Sequence, residues 1–243
     1  MSELFKRSTP KKSFAELSKM IHGFIKTGKS TLAAEFKNDG KEPLFIATED
    51  GHHNLDVAVE QVTSWDSFVT AINKVVTNKE AVKKDFSCIV IDLISDLDKW
   101  CEDYTCKQLN IKHIADLPFS KGYSEQRKEF QKQISRLWTV LPLNFISHSK
   151  LGDMEIEGTK YNLYHPDLSK SALNYINGKV DCVGFIIPAS KKDTTPKITF
   201  RPTLQALAGT RHPWIAKEFE LSKTDMKSSY VAIENEFISG LKK

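Results

Sequence analysis

Residues 23 to 30 read Gly23-Phe24-Ile25-Lys26-Thr27-Gly28-Lys29-Ser30. Glycines at this spacing let backbone N–H groups face an anion, the lysine amine neutralises a polyphosphate, and the hydroxyl ligates a divalent cation. The pattern is a phosphate-binding loop (P-loop). Together with the following Thr31 it is expected to hold ATP, with Lys29 on the β and γ phosphates and Ser30 on magnesium. A second magnesium ligand should lie at the carboxyl end of a neighbouring strand, where the crevice of an open α/β sheet lies. Asp92 follows Phe86-Ser87-Cys88-Ile89-Val90-Ile91 and is placed there, although an aspartate also suits the N-cap of a following helix. Hydrolysis further requires a group that orients and deprotonates water. Leu93 follows Asp92, so the adjacent acidic pair of many ATPases is absent. Glu49, at the end of Phe45-Ile46-Ala47-Thr48, is the expected base, with Asp50 its rival and a solvated turn carboxylate the plainer reading. His148 ends Asn144-Phe145-Ile146-Ser147, where it either contacts the γ-phosphate or simply terminates the strand.

These residues need elements to hold them. Lys19-Met20-Ile21-His22 reads as a strand running into the loop, and Ser30 to Phe36 as the helix after it. Pro43 to Thr48 is a second strand and Ser67 to Val76 a helix with apolar residues at helical spacing. The run Phe86–Ile91 is β-branched and nearly continuous, as in parallel strands buried on both faces. A long polar, helical region then leads through Gln126–Leu141 to a short strand at Leu143–His148. Four such strands predict a parallel sheet. Beyond them, Asp153 to Tyr164 alternates like a small hairpin around Glu157-Gly158, an insertion or mobile loop, and Ser169 to Ile176 reads as helical. Val180–Ile187 and Lys197–Arg201 predict an antiparallel hairpin through Ser190-Lys191-Lys192-Asp193. Tyr230, Ile233, Phe237 and Leu241 recur at helical spacing, so a C-terminal amphipathic helix should pack on the domain or on a neighbouring subunit.

At 243 residues the chain has room for one α/β domain with modest appendages: a basic arm over 1–18, a core over 19–212 and a helical tail over 213–243. A hydrophobic share of 40% with 27% charged residues argues against disorder, and a net charge of +4 permits a nucleic-acid partner without requiring one. The N-terminus MSELFKRSTPKKSF is charged and no apolar run is long enough for a membrane span, which predicts a cytoplasmic protein with no membrane partner. Cys88, Cys101, Cys106 and Cys182 include no Cys-x-x-Cys pair. Cys101 and Cys106 could be imagined as metal ligands with His113, but their five-residue step on a helix points them to different faces, so reduced thiols without a structural metal are expected.

In the order of its motifs the chain resembles the RecA-like recombinase core over Lys19 to Arg211. The resemblance is carried by the P-loop, Thr48-Glu49-Asp50-Gly51 after the next strand, a lone aspartate after Ile89-Val90-Ile91, and a polar residue after Phe145-Ile146-Ser147. Ala172-Leu173-Asn174-Tyr175 is similar to the end of that family's second DNA-binding loop, and the Phe145–Lys150 segment with the compact length resembles the phage single-strand annealing proteins of the Sak type. The resemblance implies an α/β RecA-like P-loop NTPase core, its mainly parallel central sheet flanked by helices, with a C-terminal antiparallel hairpin. It further implies a DNA-stimulated ATPase that binds single-stranded DNA in annealing or strand exchange, assembled as a homo-oligomeric ring or filament, with a single-strand DNA-binding protein as a further partner. The strand would run along Lys150, Lys160, Tyr161, Tyr164, His165 and Lys170, because phosphates meet lysines while bases stack on rings. Asp153, Glu155, Glu157 and Asp167 offset that charge, so a solvated hairpin fits the same residues. Lys112 to Arg127, with Phe119, Lys121 and Tyr123, would be the first DNA loop.

Arg201 and Arg211 follow the last strands, and Arg211 is the preferred group for reaching a neighbour's γ-phosphate, a surface arginine being the other reading. Two features depart from the family: His148 stands where an amide is usual, and the N-terminal polymerisation domain is expected to be missing or reduced to about eighteen residues. A replication-associated motor or loader, or a nucleotide-gated interaction module with little hydrolysis, would use the same core.

Overall fold

Consecutive apolar residues along the central strands face opposite sides of one sheet, and both sides are covered. Met20, Ile89, Ile91 and Phe145 pack on one side, while Ile21, Cys88, Val90 and Ile146 pack on the other. This double burial is the reason the strands read as continuous apolar runs. The computed structural model describes residues 9–156, 158–191 and 194–242. The first eight residues of the basic arm, Glu157 of the expected hairpin turn, and Lys192 and Asp193 of the expected later turn lie outside the described residues.

In chain order the elements are β1 (Lys19–Gly23), α1 (Lys29–Ala33), β2 (Glu42–Ala47), β3 (Ala58–Gln61), α2 (Trp65–Thr77), α3 (Lys79–Asp85), β4 (Phe86–Asp92) and α4 (Ile94–Leu109). They continue with α5 (Lys121–Trp138), β5 (Leu143–Ile156), β6 (Thr159–Pro166), α6 (Lys170–Lys179), β7 (Cys182–Ile187), β8 (Lys197–Thr199), β9 (Gly209–Thr210), β10 (Glu218–Glu220) and α7 (Met226–Gly240). The main sheet runs β10-β8-β7-β1-β5-β4-β2-β3. From β7 to β3 every neighbouring pair is parallel, and β8, β9 and β10 add antiparallel pairs at the far side. The expected α/β architecture with its C-terminal antiparallel strands is therefore observed, with more parallel strands than four.

Helices α2, α4, α5 and α6 cover one face. Ser64 opens α2 with a capping box to Ser67, and Trp65, Phe68, Ala71, Ile72 and Val75 form its buried stripe. The other face is covered by α1 and α7. Tyr230, Ile233 and Phe237 of α7 pack with Phe14 and Phe36 of the same chain, which settles the packing of the C-terminal helix on its own core. Gly240 permits the closest approach, because a Cβ there would lie 2.1 Å from the Trp214 ring.

Two expectations are corrected. The helix after the loop ends at Ala33, short of Phe36. The strand at Leu143–His148 does not stop at His148 but continues to Ile156, and residues 149–156 pair antiparallel with β6. One strand thus leaves the sheet and becomes an arm of the hairpin. The four cysteines are free and buried, and no cluster of three or more His, Cys, Asp or Glu suited to a metal occurs among the described residues. No helix among the described residues is long and apolar enough to cross a membrane.

His22 ties the hairpin root to β1. Its Nε2 lies 2.6 Å from the Leu207 carbonyl, which can only accept, so this nitrogen carries the proton and Nδ1 accepts from the Ser149 hydroxyl at 2.8 Å. Complete burial lowers its pKa to about 4. Between there and the ordinary value of 6.5 the unfolded chain binds a proton that the folded one does not, so stability rises with pH across that window and the effect is gone above it. Urea unfolding should accordingly show the wild type gaining about 3 kcal/mol more than His22→Gln over this range. Equal pH slopes for the two proteins would contradict the burial argument.

Candidate active site

The parallel register brings the four motifs to one end of the sheet. Gly23 lies beside His148, and Asp92 lies beside both Ala47 and Ile146. Glu49 follows two residues after Ala47. At this carboxyl end a cavity of about 500 Å³ is lined by the loop from Ile25 to Thr31 together with Glu49, His52, Asp92 and His148. The glycine loop can turn here because Gly28 adopts φ +91°, and a Cβ at that position would meet Met226 Cε of α7 at 3.2 Å.

Lys29 is buried at the centre. Its amine donates to the carbonyls of Phe24 at 2.7 Å and Gly23 at 3.3 Å, and to His148 Nδ1 at 3.3 Å. Burial lowers its pKa, while Asp92 and Glu49 oppose that shift. With Nδ1 accepting from Lys29, His148 turns Nε2 toward Glu49 Oε1 at 3.8 Å, a charge contact longer than a hydrogen bond. Lys29, His148 and Glu49 thus form one row along the cavity. Asp50 is absent from its lining and is exposed, paired with His53.

Thr48 locks the end of β2 against the end of β4. Its N–H donates to the Asp92 carbonyl at 2.7 Å, its hydroxyl donates to Asp96 at 2.7 Å, and the same oxygen accepts the Leu93 N–H at 3.0 Å. The position of Glu49 relative to Asp92 is therefore set by backbone and hydroxyl bonds.

Asp92 Oδ2 accepts the Ser30 hydroxyl and His52 Nε2, the latter at 3.1 Å. His52 packs edge-on against Phe45, and its hydrogen bond to Asp92 raises its pKa against the opposing effect of burial. Asp92 Oδ1 is buried with no hydrogen-bond partner. A serine hydroxyl in contact with a carboxylate that keeps one oxygen uncommitted fits magnesium, a hard cation held by one or two protein oxygens plus substrate phosphates. His52 and Thr48 were not anticipated as site residues. Glu49 alone is expected in the crevice, with the turn through His53 in solvent, and nothing in the spacing of that turn says that a histidine folds inward or which one does.

Other expected residues lie elsewhere. The Phe24 side chain is missing from the lining of this cavity and instead packs against Tyr164 at 5.0 Å and Phe185 at 6.4 Å. Arg211 sits near the start of β7, whereas Gly23 lies beside Ile186 at the other end of that strand. Its guanidinium donates to the Gly178 carbonyl at 2.9 Å and approaches Asp181 at 4.0 Å, so it takes no part in its own chain's cavity. Lys150 is paired with Asp167 at 2.9 Å, the Tyr164 ring stacks on Phe185, and His165 is buried with its ring against the position of a Gly152 Cβ. Lys160 is exposed on the outer hairpin with Tyr161 half-buried beside it, and Lys170 is exposed on the first turn of α6. The residues expected along a DNA strand are thus spread over three elements, β5, β6 and α6, and three of the residues are engaged in packing or pairing.

A P-loop between a central parallel strand and a helix, with a serine–aspartate pair beside it and a glutamate on the next strand end, defines a P-loop nucleotide-binding protein with a RecA-like core. The chain belongs to the AAA domain family, whose model matches residues 15–212. It is 24% identical over 146 residues to the SPbeta prophage-derived uncharacterized protein YorG of Bacillus subtilis (strain 168), a match covering 58% of this chain and 44% of that protein. The matched region spans less than half the length of that relative. In fold the chain is similar to the crystal structure of the RadB recombinase, with a TM-score of 0.50, 13% identity, and coverage of 87% of this chain and 89% of that one.

Proposed function

We propose that the protein binds and hydrolyses ATP with magnesium, and couples this to binding single-stranded DNA for annealing or strand exchange, as in phage recombinases of the Sak type. The observation that carries the nucleotide step is the meeting of Lys29, the Ser30–Asp92 pair, Glu49 and His148 around one cavity. In this reading the loop N–H groups and Lys29 bind the phosphates, and Ser30 and Asp92 hold magnesium, which neutralises phosphate charge when bound. Thr48 keeps Glu49 in place, Glu49 takes the proton of the attacking water, and His148 donates toward the γ-phosphate.

The DNA step is supported by the resemblance, by a fold shared with a protein titled a recombinase, and by a prophage-derived relative. Lys160, Tyr161 and Lys170 would contact the strand, with Lys150 and Tyr164 shaping the hairpin that presents them. The whole chain would act as one ATPase domain in the host cytoplasm, assembled into a ring or filament. Arg211 would have to leave Gly178 and Asp181 to serve a neighbouring subunit.

The test is ATP turnover with no DNA, with single strands and with duplex, over a salt series. Single strands should raise turnover several-fold, and their binding should weaken steeply with salt because lysines release phosphate counterions. Turnover unmoved by DNA, with no salt-dependent binding, would overturn the recombination reading. Duplex unwinding would point instead to a motor or loader, and negligible turnover with ATP-dependent capture of a protein partner to an interaction module.

A further inference from the structure

Phe24 belongs to the glycine loop by sequence, yet its ring joins the hairpin. It stands edge-on to Tyr164 of β6 with centroids 5.0 Å apart, and Tyr164 in turn lies parallel to Phe185 of β7 at 5.9 Å. The backbone of the same residue is held from the other direction. Its carbonyl accepts the Lys29 amine at 2.7 Å and the Thr27 hydroxyl at 2.8 Å.

An ammonium group has three N–H donors. Those of Lys29 face the Gly23 carbonyl, the Phe24 carbonyl and His148 Nδ1. A phosphate that engages Lys29 must displace at least one of them. The shortest of the three is to Phe24, and its loss frees the backbone of a residue whose ring is seated against the hairpin. The remaining route, through His148, enters the hairpin along β5. Gly23 has no side chain to seat against the hairpin.

We propose that Phe24 is a positioning residue that carries phosphate occupancy of the glycine loop into the β5–β6 hairpin through its contact with Tyr164. The inference rests on the nucleotide-binding reading and adds a direction to it: the hairpin changes with nucleotide before any DNA is present. Coupling of this kind requires an element whose position both sites bias; Tyr164 lies at the hairpin root, where its N–H donates to the Gln205 carbonyl and its carbonyl accepts the Leu207 N–H, so a displacement of its ring bears on the backbone there.

Hydrogen exchange over residues 149–166 tests it, measured with and without a non-hydrolysable ATP analogue plus magnesium, on wild type, Phe24→Ala and Phe24→Leu. Saturation is established for each protein by a separate fluorescent-nucleotide titration. In the wild type, exchange at the hairpin root should change by roughly threefold or more on saturation. In Phe24→Ala that response should fall below half, with Phe24→Leu between the two, whereas loss of a merely structural contact would shift exchange equally with and without nucleotide. A full response in a saturated Phe24→Ala protein overturns the proposal, as does a saturated wild type whose hairpin does not respond. If Phe24→Ala does not fold, Phe24→Leu decides by the same comparison. Failure of the wild type to bind nucleotide appears in the titration alone and sinks the nucleotide reading along with this one.

Discussion

Lys29→Ala is expected to weaken ATP binding by on the order of 100-fold or more, since two or three charge-assisted hydrogen bonds to phosphate are lost together. The amine is buried among carbonyl oxygens and a histidine nitrogen, with Asp92 and Glu49 near enough to oppose the lowering of its pKa. Removing it takes away the phosphate contact and also leaves two carboxylates facing an incoming polyphosphate without a cation between them. Lys29→Arg should not restore binding, because a planar guanidinium does not reproduce the compact ammonium that donates to three groups at once. Fluorescent-nucleotide titration measures the loss, and circular dichroism confirms that the variant is folded. Affinity within about threefold of wild type in a folded Lys29→Ala protein would remove the loop from the phosphate site.

Glu49→Gln should keep ATP and lose its hydrolysis. A correctly placed base contributes on the order of 100- to 10,000-fold, so kcat should fall by that factor while nucleotide affinity changes little. The carboxylate is half-exposed at the cavity, 3.8 Å from His148. The amide keeps the shape and removes the charge and the basicity together. Single-turnover hydrolysis with pre-bound ATP isolates the step, and unchanged turnover would transfer the role to another group. Asp50 is a poor replacement, being exposed and paired with His53.

Much of this arrangement was readable in the chain because its signals are local. Residues 23–30 are a contiguous motif, and Phe86–Ile91 is an apolar run whose form follows from burial on both faces. Asp92 and Glu49 could be expected in the crevice because a strand's end determines where the next residues lie. Four features resisted. The link from His148 to the hairpin arm was hidden because Ser149, Lys150 and Gly152 lack the one-sided alternation that marks a half-buried strand. β3, Ala58–Gln61, is four residues long and half-exposed at the sheet edge, so no apolar run announces it. The direction of the Phe24 ring and the inward turn of His52 depend on backbone geometry that residue spacing does not encode.

The family match stops at residue 212, whereas Met226, the first residue of α7, reaches the glycine loop itself, lying 3.2 Å from where a Gly28 Cβ would stand. The tail is therefore a buttress for the glycine loop. Anyone trimming the chain to its family-shared portion would be cutting away the wall behind the glycine loop, and a shortened protein that failed to bind ATP would say nothing about the loop's own chemistry. Any partner recruited by this helix must also make do with its outer side, because Tyr230, Ile233 and Phe237 are already committed inward.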